Sequence, residues 1–376
     1  MHFKLKKFTT HALLGLALSS SLAVADWGGK GSFSPLAMTS DNGNPLKLTW
    51  TYVVNQGKPM YINENIGGIA VNLTMAFSDL TVSIDPKIHK RESNVWVNVS
   101  GSGTGQLRLK VVEGLQAYEE GKTLISSQKV ALSGSLTVQG VNVDIGANML
   151  ALLSPSSEWF LDRNDLDLLP IGLLYDELEV SADISGKACA SAYGQRQCVP
   201  LNNSQVLSPE SWEVGAHSDT LKVRNSTYSN IVEVRRHTLV PALEGLLGNG
   251  GVNTEASYSQ YWVAKGIGMV KGIGQYEFMG RPLLVELKDT SITVPKISKL
   301  KAVNASAGRT LQISGTGFGK VLGKVMVDGN EINVLSWKNG SISTVYPVLQ
   351  NPGSHRITIK RDNEIESAPK TLSVSY

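Results

Sequence analysis

Cysteine is almost missing from this chain, with two in 376 residues, and aromatic residues at 7% and charged residues at 18% are also scarce. Each shortage excludes something. Cys189 and Cys198, separated by A-S-A-Y-G-Q-R-Q, lack the C-x-x-C spacing of a redox-active pair. The histidines beyond residue 25 are His89, His217, His237 and His355, well apart and in no H-E-x-x-H run. No metal is therefore expected, because no helix face would carry two imidazoles. G-x-S-x-G is absent as well, which leaves only a hydrolase whose Ser, His and Asp come from distant positions. No apolar run approaches the roughly 20 residues of a transmembrane helix, and none is expected.

An excess of one charge is also missing. The chain has 35 Lys and Arg against 32 Asp and Glu, and Lys4, Lys6 and Lys7 near the start account for the difference. Nucleic acid is not expected as a partner, since it would call for a basic stripe. The basic runs Lys87-Ile88-His89-Lys90-Arg91 and Arg235-Arg236-His237 are short and read as solvated strand ends or loops.

What is present points first to a compartment. Those three lysines precede an apolar stretch from Ala12 to Leu18 and an A-x-A site at Ala23-Val24-Ala25. This order predicts a signal peptide over residues 1–25 and an exported chain, periplasmic or extracellular, beginning at Asp26. In an oxidising compartment Cys189 and Cys198 are expected to pair across a hairpin that turns at Tyr193-Gly194-Gln195-Arg196.

Period-two alternation then dominates, in L-T-W-T-Y-V-V (48–54), V-W-V-N-V-S (95–100), L-R-L-K-V-V (107–112), L-T-V-Q-G-V-N-V-D-I (136–145), L-K-V-R-N (221–225), I-V-E-V-R-R (231–236) and L-L-V-E-L (283–287). Alternation of this kind marks half-buried strands. Helical patterning is confined to two short candidates, residues 241–247, stopped by Gly248, Gly250 and Gly251, and more weakly residues 113–120. The fold class is all-β and multi-domain. We expect an N-terminal β domain over 26–130, a middle β domain over 131–293 and a third unit from 294. S-G-S-G-T-G at 100–105 serves either as a linker or as a hairpin turn.

The third unit carries the most specific pattern. It opens on Pro295 and Ile297, turns at Gly308, alternates through Leu311 and Ile313, and reaches a Gly-rich corner of Gly315, Gly317, Phe318 and Gly319. V-M-V-D-G at 325–329, Trp337, V-Y-P at 345–347 and N-P-G at 351–353 follow in order. Residues 294–376 resemble the IPT/TIG domain. That resemblance implies an immunoglobulin-like β-sandwich of about seven strands, used in surface proteins as a spacer or recognition module. Asp328-Gly329 reads independently as a hairpin turn, because Gly takes positive φ without a Cβ clash.

In the middle region, Y-W-V-A-K-G-I-G-M-V-K at 261–271 with Gly272-Ile273-Gly274 resembles the late strand pair of lipoprotein-carrier-like half-barrels of the bacterial envelope. Its glycines are no dinucleotide fingerprint, since both flanks are strand-like, and no cofactor is expected. Asp162-Arg163-Asn164-Asp165-Leu166-Asp167 spaces oxygen donors like a calcium loop but lacks the loop Gly and closing Glu, so a capped turn is the expectation.

Three functions stand. The first is a non-catalytic interaction protein with a protein or glycan partner at the cell envelope. The second is a carrier of an apolar or lipid ligand, with Trp159, Phe160, Trp262, Met269 and Phe278 as candidate lining. The hydrolase is the weakest. No catalytic residue is assigned.

Overall fold

The computed structural model describes residues 47–374 except 67–68, 86, 89, 118–122, 139, 154–167, 201–202, 242–253, 277–280, 306–307, 346–352 and 362–364. The expected signal segment, the Asp162-to-Asp167 run, residues 242–247 of one helix candidate and Trp159, Phe160 and Phe278 lie outside the described residues.

The alternating segments become strands that pair into one fifteen-stranded sheet. In chain order these are β1 (Leu48–Val54), β2 (Met60–Ile66), β3 (Ile69–Phe77), β4 (Leu80–Asp85), β5 (Lys90–Gly101), β6 (Gly103–Ala117), β7 (Thr123–Val138), β8 (Val141–Leu153), β9 (Leu174–Ala192), β10 (Gln195–Pro200), β11 (Asn203–Val223), β12 (Ser226–Pro241), β13 (Thr254–Ala264), β14 (Gly268–Tyr276) and β15 (Arg281–Thr290). Every ladder is antiparallel. From β4 the pairing runs through β5, β6, β7, β8 and β9 to β11, then through β12, β13, β14 and β15 to β1. β1 in turn pairs β4, with Leu48 opposite Ile84 and Tyr52 opposite Leu80. The ladder therefore returns on itself as a ring of twelve strands, and β2, β3 and β10 attach to its lower rim.

The ring corrects the half-barrel expectation, because β1 joins the two ends that a half-barrel would leave open. The expected cut at 130/131 falls inside β7, with both flanks in the same ladder. Residues 113–117, a helix candidate, are the end of β6, since pairing to β5 on one side and β7 on the other overrides a weak local preference. S-G-S-G-T-G is the β5–β6 hairpin turn. The 136–145 alternation is two strands broken at residues 139–140.

Which face of the ring turns inward follows from the alternation. Leu107, Leu109 and Val111 of β6 are buried, while Arg108 and Lys110 between them are only half-buried. β7 buries Val130, Leu132 and Leu136, β8 buries Val143 and Ile145, and both leave polar residues outside. Apolar inside and charged outside is the inverse of a membrane-spanning barrel. No described helix is long and apolar enough to cross a membrane. Eight strands leave an interior that ordinary side chains just fill; here twelve surround Trp50, Tyr52, Trp212 and Tyr261, all buried, with the Trp212 and Tyr261 rings 6.1 Å apart.

Eight further strands form two four-stranded sheets. β16 (Lys296–Ala305), β17 (Gly308–Thr316), β21 (Ser341–Val345) and β20 (Val334–Lys338) make one; β19 (Asn330–Ile332), β18 (Lys324–Val327), β22 (Gly353–Lys360) and β23 (Lys370–Val374) make the other. Between them lies a separate apolar core of Ile297, Leu311, Ile313, Phe318, Val325, Val327, Ile342, Ile357 and Ile359. Phe318 is fully buried, 6.4 Å from the Trp337 ring, whose Nε1 donates to the Gly319 carbonyl. A Cβ at Gly315 would collide with the Lys296 carbonyl and the Phe318 ring, which is why that corner is glycine. Asp328 and Gly329, at φ of 49° and 83°, form the expected two-residue turn between β18 and β19.

Candidate functional site

Barrel and sandwich meet at the end where β11 turns into β12 and β13 into β14. The β13–β14 hairpin tip folds into the barrel, burying Ala264, Ile267, Met269 and Val270. Its pairing with β15 begins only at Lys271, so the carbonyls of Ile267 and Met269 lie beyond that ladder. Trp50 Nε1 donates to the first at 2.9 Å and Tyr52 Oη to the second at 3.0 Å. Side chains of β1 thus replace the missing strand contacts, as buried carbonyls require.

The sandwich closes the same end. Arg361 N–H donates to the Ile365 carbonyl and Ser367 N–H to the Ile359 carbonyl, which folds the loop after β22 back and points Ile365 at the barrel. Ile365 is 1% exposed and belongs to the barrel core, not to the core of its own sandwich. It rests on Gly266, where a Cβ would meet its Cγ1 at 2.7 Å. Ser229 Oγ donates to the Ser367 carbonyl at 3.0 Å, Asn230 Nδ2 to Glu366 Oε2 at 2.7 Å, and Arg361 NH1 to the Thr293 carbonyl at 2.9 Å. Arg356 NH1 also reaches Asp219 Oδ2 at 2.5 Å from the sandwich side. Beside it, Asp328 accepts the Arg356 backbone N–H and lies 2.6 Å from His355 Nδ1. These two contacts, the backbone one foremost, hold the Asp328 carboxyl below its ordinary pKa.

Two polar groups sit inside the barrel unannounced by the sequence reading. Arg91, 1% exposed, is bonded to Glu113, 2% exposed, directly opposite it on β6. Arg236 is buried with its guanidinium 5.7 Å from the Trp212 ring. Both belong to basic runs expected to be solvated. A strand sends successive residues to opposite faces, so Lys90 and Arg235 face out to Glu92 and to Glu213 and Glu233, while Arg91 and Arg236 face in.

Cys189 and Cys198 are bonded, opposite each other on β9 and β10 with Cα atoms 4.0 Å apart, in a hairpin turning at Tyr193-Gly194. Cys189 alternates with the inward Ala188 and Ala190 and so lies on the outer face. Of the candidate lining residues, Met269 is buried in the tucked hairpin tip. Trp262 lies between the inward Tyr261 and Val263, on the outer face, with Lys271 Nζ 4.9 Å from its ring centroid. Trp262 is partly buried against the same core cluster that holds Met269. Among the described residues no three His, Cys, Asp or Glu are grouped to hold a metal ion.

The sandwich corner, the Phe318 core and the Asp328-Gly329 turn decide what this module is, and residues 295–374 match the family model of the IPT/TIG domain. The C-terminal module is an IPT/TIG domain. No curated protein matches the chain. Among solved structures, the crystal structure of gamma-CGTase from alkalophilic Bacillus clarkii is 16% identical over 53% of this chain and 24% of that one, with a TM-score of 0.19. The chain thus spans about a quarter of that enzyme's length, and at this score the likeness says nothing about the barrel or the TIG domain.

Proposed function

We propose that the protein is an exported, non-catalytic binding protein whose TIG domain is a spacer or recognition module for a protein or glycan of the cell envelope. The carrying observation is the pairing of an interaction-type sandwich with a barrel whose inward face is filled by one large apolar cluster, with Arg91, Glu113 and Arg236 buried beside it. A barrel built in this way is a mount: its inside is occupied by Trp50, Tyr52 and the β13–β14 tip, and its outside is polar. A disulfide on the outer face fits an oxidising compartment. The test profiles the purified protein against ester, glycosidic and peptide substrates together with glycan and lipid binding panels. Saturable glycan or protein binding without turnover supports the proposal. Turnover abolished by changing one Ser, His or carboxylate overturns it, and co-purified lipid released on denaturation favours a carrier instead.

A further inference from the structure

We propose that residues 365–367 are a clasp that fixes the TIG domain in one orientation on the barrel and makes it the stopper of the barrel's end. This goes beyond the binding reading and is independent of what the TIG domain recognises. Domains that move relative to one another meet through interfaces more polar than those of permanent assemblies. Here the TIG domain gives up an isoleucine to the other core, where it is 1% exposed among barrel residues. The receiving surface is shaped for it: Gly266, at φ of 74°, leaves room that a Cβ would fill.

Three features make the joint directional as well as tight. Ser229 Oγ, buried, donates to the Ser367 carbonyl, and Asn230 Nδ2 bonds Glu366 on the other side of that carbonyl's residue. Asn230 holds a left-handed φ of 54° within β12, and its own carbonyl accepts Lys265 N–H from the hairpin tip. One residue thus ties clasp and tip together. Arg356 to Asp219 braces the domain on the barrel at a separate point, so that rotation about Ile365 would break it, and Arg361 bonds the Thr293 carbonyl of the connection between β15 and β16. Continuity runs from Ile365 through Gly266 to Ile267 and Met269, and from there to Trp50 and Tyr52.

The experiment measures distances between spin labels on the full chain, placed by Lys129→Cys in the barrel and Lys338→Cys in the TIG domain, both exposed and outside the joint. The native disulfide is left oxidised. A single narrow distance distribution is expected, broadened severalfold by Ile365→Asp and left narrow by Tyr61→Asp, which adds the same charge at an exposed position on β2. Should Ile365→Asp fail to fold, Gly266→Asn provides a second route, because asparagine tolerates the left-handed turn while its Cβ displaces Ile365. A broad distribution in the otherwise native chain overturns the proposal. So does a narrow one in a folded Ile365→Asp or Gly266→Asn protein.

Discussion

The barrel and the TIG domain solve one problem in opposite ways. Every strand carries backbone groups on two edges, and an unpaired edge invites another chain. The barrel joins β1 to β15 and removes its edges around the ring, which permits strands as long as the 21 residues of Asn203–Val223. The sandwich keeps four edge strands and blunts them. β19 has only three residues, while β16 carries Lys296, Lys299 and Lys301 and β23 begins at Lys370. The interiors differ too. Among the described residues the sandwich buries polar groups such as Thr344 but no charged side chain, whereas the barrel encloses the Arg91–Glu113 ion pair. Closure and length let a core hold charge; a short open sandwich relies on hydrocarbon packing.

The contrast breaks first at the cores. Phe318→Ala should destabilise the TIG domain by about 3–5 kcal/mol, as expected for truncating a fully buried ring, and chemical denaturation measures it. Glu113→Leu should cost the barrel about 3–5 kcal/mol because it removes the carboxylate bonded to a buried guanidinium. The double variant Arg91→Met, Glu113→Leu should recover most of that loss. If the single change is harmless, the barrel interior is wetter than its burial implies.

Smaller effects sharpen the comparison at the junction. Tyr52→Phe keeps the ring but strands the Met269 carbonyl, with an expected cost of about 1–3 kcal/mol; amide exchange at the hairpin tip should quicken while exchange in β17 does not. The smallest effect is one of pH. The Asp328 carboxyl titrates below its ordinary value, so its contribution is complete above the usual carboxylate range and is lost as pH falls through the lowered value. Acid should therefore loosen the Arg356 amide, visible by NMR, and Asp328→Asn should remove that dependence.

The strands, the TIG corner and the disulfide hairpin were legible because each depends on neighbours close in sequence. Ring closure was not, since β1 and β15 lie at opposite ends of the alternating region and nothing local says they pair. The Arg91–Glu113 pair was half legible. Extending the Val97–Val99 alternation backward puts Arg91 inward, and extending Leu107–Leu109–Val111 forward puts Glu113 inward; what was missing was that β5 and β6 face each other in that register. Ile365 carried no signal at all. It stands in a loop with polar neighbours, and only the docking of one domain on the other gives it a core.

The seam between β1 and β15 also sets a timetable. Trp50 pairs opposite Thr290, so the contact that completes the ring joins the first described strand to the last of the barrel. A chain emerging from its N-terminus can zip β5 to β6, β6 to β7 and so on as hairpins, each a local event. Until β15 arrives, β1 has only β4 beside it, and the inward faces of a dozen strands remain open to solvent and to one another's chains. Such long-range closure is slow relative to local pairing, so the most aggregation-prone interval of folding is the one just before the final strand is in place.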